Sequence, residues 1–183
     1  MTTRRVSTTA LATAALLTSA GAGFAADDRL ELRIEFSEAP TLEVVEDPET
    51  GEETFYGTYT GLVSGESDAL LAGTEASCEF DGYTFEARGF SCGFTTAENV
   101  SGRCLFTDGQ GNTAVAEWEC QTAATMTSDA RCEGKATWVD GAGKFAGITG
   151  EARFHGDLFL QPTEGYSRWR GKWSVPSLAM LTE

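Results

Sequence analysis

The sequence predicts an all-β protein, a small antiparallel closed barrel. Three observations carry that prediction. Segments in which apolar and polar residues alternate recur every ~8 to 12 residues with turn-forming residues between them, the pattern of half-buried strands joined by short loops. The chain holds 21 glycines against four prolines, so its strands have the means to bend hard. The last two alternating segments set glycines between large aromatics on one face, as a narrow lumen requires.

The first 25 residues read as a secretory signal peptide, with Arg4 and Arg5, an apolar region from Ala10 to Ala22, and the small-x-small site Gly23-Phe24-Ala25. The apolar run is shorter than the ~20 residues that cross a bilayer, so no stable membrane anchor is expected. Arg4-Arg5 lacks the hydrophobic residue two places on that marks a twin-arginine signal, which favours general secretion. Cleavage near Ala25 leaves residues 26–183, a length suited to one domain, in the periplasm or outside the cell. That mature chain has 11 Lys and Arg against 28 Asp and Glu, a formal charge of −17, which argues against nucleic acid and anionic membranes as partners.

Leu30-Glu-Leu-Arg-Ile-Glu-Phe36 alternates without a fault and is the first expected strand. An acidic turn over Glu46–Glu53 leads into a second, Thr54 to Val63; Asp68 to Ala76 is the one short stretch with helical character. Ser77 to Phe94 is rich in aromatics, and a hairpin follows over Cys104–Trp118. Arg131 to Val139, Gly150 to Leu160 and Tyr166 to Val175 complete the set.

Five cysteines, Cys78, Cys92, Cys104, Cys120 and Cys132, have spacings that match no zinc or haem signature, and export makes disulfides the default. Cys120 and Cys132 flank a hairpin around Met126 and are expected to pair. Cys78 with Cys92 is a plausible second bridge, leaving Cys104 as an inert buried thiol rather than a reactive one.

The segment Trp138–Phe154 reads as two strands hinged on Gly141, Gly143, Gly147 and Gly150, with Phe145 and Ile148 as an apolar anchor. Its run Gly141-Ala-Gly-Lys-Phe-Ala-Gly-Ile-Thr-Gly150, with the preceding hairpin Gly102–Trp118, resembles the allene oxide cyclase and dirigent-like barrels over the central third of the chain. The resemblance implies a small, calycin-like barrel of about eight strands and a homo-oligomer such as a dimer or trimer. It departs from that group where Asp140-Gly141-Ala142 replaces the two glycines before Gly-Lys-Phe, and the acidic cavity residues of the plant enzymes have no counterpart, so the fold carries over and the activity does not.

Two constellations stand out. Trp118, Trp138, Phe154, Trp169 and Trp173 share an apolar face that either lines a ligand pocket or fills the core. Arg153, His155, Arg168, Arg170 and Lys172 lie on the opposite face of the last two strands, a basic set suited to a carboxylate, a phosphate or an acidic partner, or simply to cross-strand pairing with glutamates. His155 is the only histidine, so a catalytic triad depends wholly on it, and its neighbour Asp157 is better placed to pair with a cation than to orient a base. The acidic stretches Asp47–Glu53 and Asp108–Asn112 offer clustered oxygens but read as turns, and no metal or cofactor is expected. Asn99-Val100-Ser101 is a glycosylation acceptor by pattern.

Three functions remain open. The first is an exported, non-enzymatic barrel holding a small apolar or amphipathic ligand in its lumen. The second, implied by the resemblance, is a cavity-templated cyclase, isomerase or stereodirecting protein that works through substrate orientation. The third is a structural or interaction module acting through the basic patch.

Overall fold

The computed structural model describes residues 29–37, 41–65, 67, 70–85, 97–123, 130–159 and 165–176. The expected signal peptide, Cys92 and the aromatics Phe90 and Phe94 lie outside these residues. The described chain is all-β: β1 (Arg29–Phe36), β2 (Thr41–Glu46), β3 (Glu52–Val63), β4 (Glu75–Phe85), β5 (Ala97–Thr107), β6 (Thr113–Ala123), β7 (Ala130–Ala142), β8 (Thr149–Phe159) and β9 (Tyr166–Ser174).

All the strands belong to one antiparallel sheet in the order β1-β9-β8-β7-β6-β5-β4-β3-β2, and β1 also pairs with β3. That extra pairing turns the sheet into a closed eight-stranded barrel with β2 as an additional strand. β3 is long enough to hold two partners on one edge. Its first half pairs with β2, from Glu53 against Glu46 to Thr58 against Thr41, and its last three residues take Ile34, Glu35 and Phe36 of β1. β2 was not expected from the sequence.

β1 follows the predicted alternation closely: Leu30, Leu32 and Ile34 are fully buried while Glu31, Arg33 and Glu35 face outward. Ser64 donates its backbone N–H to the Arg33 carbonyl at 2.8 Å, and the Arg33 N–H donates to Ser67 Oγ at 2.8 Å, so the segment after β3 satisfies the edge of β1 beyond the seam. The short helix entertained for Asp68–Ala76 is instead, over its described part, a turn that runs into β4. Gly73 takes φ 77° there and its N–H donates to Val63, which brings β4 back along β3 and drives Leu71 inward.

The glycine segment after β7 forms more than a bend. Gly143 and Gly147 adopt φ 64° and 74°, a region closed to most side chains, and between them a single 3₁₀ turn over Gly143–Phe145 tucks Phe145 and Ile148 into the barrel. The β3–β4 and β7–β8 connections and the tail of β9 all emerge at this end, and Leu71, Phe145, Ile148 and Val175 bury themselves there as a plug.

Two disulfides cross-link neighbouring strands. Cys120 bridges to Cys132 across the β6–β7 hairpin, as the spacing predicts. Cys78 bridges to Cys104, its direct partner in the β4–β5 register, and this corrects both the expected Cys78–Cys92 pair and the reading of Cys104 as the odd thiol. Sequence proximity favoured Cys92, but cross-strand register decided the pairing. Replacing Cys120 and Cys132 together by alanine is expected to lower unfolding free energy by about 3 kcal/mol, from the short loop the bridge closes, measured by urea denaturation under non-reducing conditions.

Candidate functional site

Every member of the expected aromatic face points inward. Trp118, Trp138, Phe154, Trp169 and Trp173 are all buried, and they meet Tyr59, Phe80 and Phe106, which the sequence analysis did not single out although each alternates correctly within its strand. The rings divide into two groups. Toward the plugged end, Phe106 of β5 reaches Trp169 of β9 at 5.8 Å between centroids, a contact between strands separated by three others and therefore across the axis. Trp138 packs beside both, at 5.2 Å from Phe106 and 6.1 Å from Trp169, and also touches Trp173 at 6.1 Å.

The other group follows the wall. Tyr59, Phe80, Trp118, Phe154 and Trp169 succeed one another from β3 to β9 at centroid distances of 5.9, 6.4, 5.7 and 5.5 Å. Glycines on adjacent strands make room for these rings: a Cβ at Gly57 would collide with the Phe80 ring, and one at Gly102 with the Trp118 indole. The rings thus lie over bare backbone and form an aromatic girdle.

Polar atoms in this interior are few. Trp169 Nε1 donates to Ser167 Oγ at 2.9 Å, and the Tyr59 hydroxyl sits 3.6 Å from Cys104 Sγ, where burial pushes the phenol well above its ordinary titration range. Trp118 Nε1 is buried and has no acceptor among the described residues. An indole N–H shut away from water without a partner costs on the order of 1–3 kcal/mol.

The basic residues occupy the opposite side of the same strands. Cross-strand register sets Arg153 directly against Arg170 and His155 against Arg168. Lys135 of β7, which sequence reasoning missed because it lies on an earlier strand, stands against Arg153. Glu31 of β1 accepts from Arg170 Nη2 at 3.1 Å, so glutamate pairing accounts for Arg170, and it approaches Arg168 Nε at 4.0 Å without a hydrogen bond. Lys135, Arg153 and Lys172 are exposed and make no ion pair among the described residues. His155 has Glu133 and Arg168 as cross-strand neighbours and stacks edge-on toward Tyr166 at 6.5 Å, surroundings of charge pairing rather than of a nucleophile and its base. The side chain of Asp157 lies outside the described residues.

Residues from β2 to β9 border an open depression of about 2030 Å³; Lys135, Arg153 and Lys172 line it together with Glu79, Asp81, Glu117 and Glu119, and so do Phe80, Trp118 and Trp173. Both acidic stretches are turns. Asp47 Oδ1 accepts from the Glu49 N–H at 2.8 Å. Asp108 is used more fully: its carboxylate accepts from Lys144 Nζ at 2.9 Å, from Asn112 Nδ2 at 2.8 Å and from the backbone N–H groups of Gln110 and Asn112 at 2.8 and 2.9 Å. Asn112 Oδ1 in turn accepts from the Lys144 N–H at 3.0 Å, tying the β5–β6 turn to the plug. No group of three or more potential metal ligands converges among the described residues.

Comparison with known proteins finds no matching family model, curated protein or solved structure.

The Lys144 ammonium and the Asn112 amide hold the Asp108 carboxyl well below the usual carboxylate range. A depressed folded-state pKa adds stability above the unfolded value, and that contribution is lost as pH falls. Asp108→Asn is therefore expected to lower Tm at pH 7, with the gap to the parent protein narrowing below about pH 4, the unfolded aspartate range, in thermal melts run across that interval.

Proposed function

We propose that this protein is an exported, non-enzymatic binding barrel whose interior holds a small amphipathic molecule: an apolar body against the aromatic girdle and a hydrogen-bond acceptor facing Trp118. The observation that carries the proposal is Trp118 Nε1, a buried donor with no acceptor among the described residues, set among rings laid over glycines. Pockets for small molecules are walled mostly by apolar side chains with a few placed polar groups, and this interior has that composition. Two disulfides suit an oxidising compartment, in keeping with export. Phe145 and Ile148 close one end of the barrel.

Native mass spectrometry of protein purified from its own host is expected to detect a bound small molecule, and the emptied barrel to take up a neutral apolar fluorophore bearing a carbonyl. A barrel that emerges empty and takes up no such probe would refute the proposal. Trp118→Phe removes the donor and is expected to weaken probe binding by about tenfold, the worth of one hydrogen bond, in a fluorescence titration.

A further inference from the structure

On the outer wall, cross-strand register sets two arginines face to face. Arg33 of β1 stands directly against Arg168 of β9, and the row continues to His155 of β8 and Glu133 of β7. The residues flanking them in each strand, Leu32 and Ile34, Ser167 and Trp169, are buried, so both arginine side chains leave the sheet on the same outer face. Like charges set opposite one another across a ladder repel, and the sheet gains nothing by itself from this pair. Tyr166 lies beside it: the Arg33 guanidinium carbon is 4.5 Å from that ring's centroid, and His155 approaches the same ring edge-on at 6.5 Å. The Arg33 backbone is pinned as well, since its N–H donates to Ser67 Oγ and its carbonyl accepts from the Ser64 N–H.

Both arginines have a donor left over. Arg33 Nε and Arg168 Nε are shut from water and have no hydrogen-bond partner among the described residues, although the side chains as wholes are 32% and 31% exposed. Carboxylates stand close by without matching them. Glu31 Oε1 takes two hydrogen bonds from Arg170, at 3.2 and 3.1 Å, and stays 4.0 Å from Arg168 Nε. Glu35 Oε1 is 3.2 Å from Arg33 Nε but off the line of its N–H. Among the described residues, two of the three buried side-chain donors without a partner thus belong to one register pair.

We propose that Arg33 and Arg168 form a binding site for a phosphate group, with His155 at its border. A guanidinium offers Nε and one Nη as a planar fork, and a turn about the outer bonds of a partly exposed side chain presents that fork at the surface. Two opposed forks carry four donors in two pairs. A carboxylate has two oxygens and matches one fork, whereas the three terminal oxygens of a phosphate accept from both through charge-assisted hydrogen bonds. The glutamates already present leave the pair unmatched, which selects phosphate over a further carboxylate. The site lies on the outside of the barrel and is independent of what the lumen holds.

Isothermal titration calorimetry with inorganic phosphate in about 0.15 M sodium chloride, where loose surface attraction is screened, tests it. Saturable binding is expected, half-complete at about 1 mM or below. Arg168→Gln is expected to weaken it at least tenfold, and so is Arg33→Lys, which keeps the charge and loses the fork, in proteins that retain the parent near-ultraviolet circular dichroism. Lys135→Gln, which removes a cation elsewhere on the same wall, is expected to leave the affinity unchanged. Phenyl phosphate separates the two sources of the group: tighter binding than inorganic phosphate assigns a monoester, equal or weaker binding the free ion. In the parent protein the Nε–H nuclear magnetic resonance signals of Arg33 and Arg168 are expected to shift together during the titration, a readout that needs no variant to fold. Absence of saturable binding, an Arg168→Gln or Arg33→Lys protein that binds as the parent does, a loss in Lys135→Gln as large as theirs, or shifts confined to other residues would each overturn the proposal.

Discussion

Closure through three residue pairs is the constraint on which the rest of the molecule depends. Ile34 against Val63, Glu35 against Leu62 and Phe36 against Gly61 are the whole of the β1–β3 seam, yet they convert an open sheet with two long edges into a barrel. Without them Leu30, Leu32 and Ile34, fully buried on β1, would lose the opposite wall. Gly61 shows how tight the seam is: a Cβ there would press on the Glu35 carbonyl and the Ile34 side chain. A residue with any side chain would push β1 off and reopen the edge.

The aromatic interior follows from that closure. Fixed strand number sets a fixed bore, and the bore must be filled or lined. Large rings do both here. Phe106, Trp138 and Trp169 fill the plugged half by meeting across the axis, whereas Phe80 and Trp118 spend their width along the wall, over glycines that leave them space. The outer surface obeys the same lattice with different consequences: the register that packs rings inside also fixes which charges stand opposite one another outside.

Most of this architecture was legible in the sequence because one face of each strand is covered. β1 alternates without error, and so do the Trp169, Gly171, Trp173 face of β9 and the Ala152, Phe154, Gly156 face of β8. β2 was not legible for the converse reason. Val44 and Val45 point to opposite sides and both are half exposed, so neither face imposes a pattern. The Cys78–Cys104 bridge was hidden because it depends on the β4–β5 register, a tertiary quantity, while Cys120–Cys132 spans a local hairpin. Of the candidate sites, sequence located the aromatic face and the basic set on β8 and β9. It missed Lys135 and the orphaned donor of Trp118, since cross-strand neighbours and absent acceptors exist only once the chain is folded.

Both disulfides fall within the β4–β7 half of the barrel, one joining β4 to β5 and the other β6 to β7. The remaining arc of β8, β9 and β1 is held by hydrogen bonds and packing alone and ends at the seam. The molecule is therefore built as a riveted shell with an unriveted flap. When native fluctuations open the barrel, the parting begins at the latch formed by β1 and β3, and amide protons of the flap exchange with solvent before those of the shell.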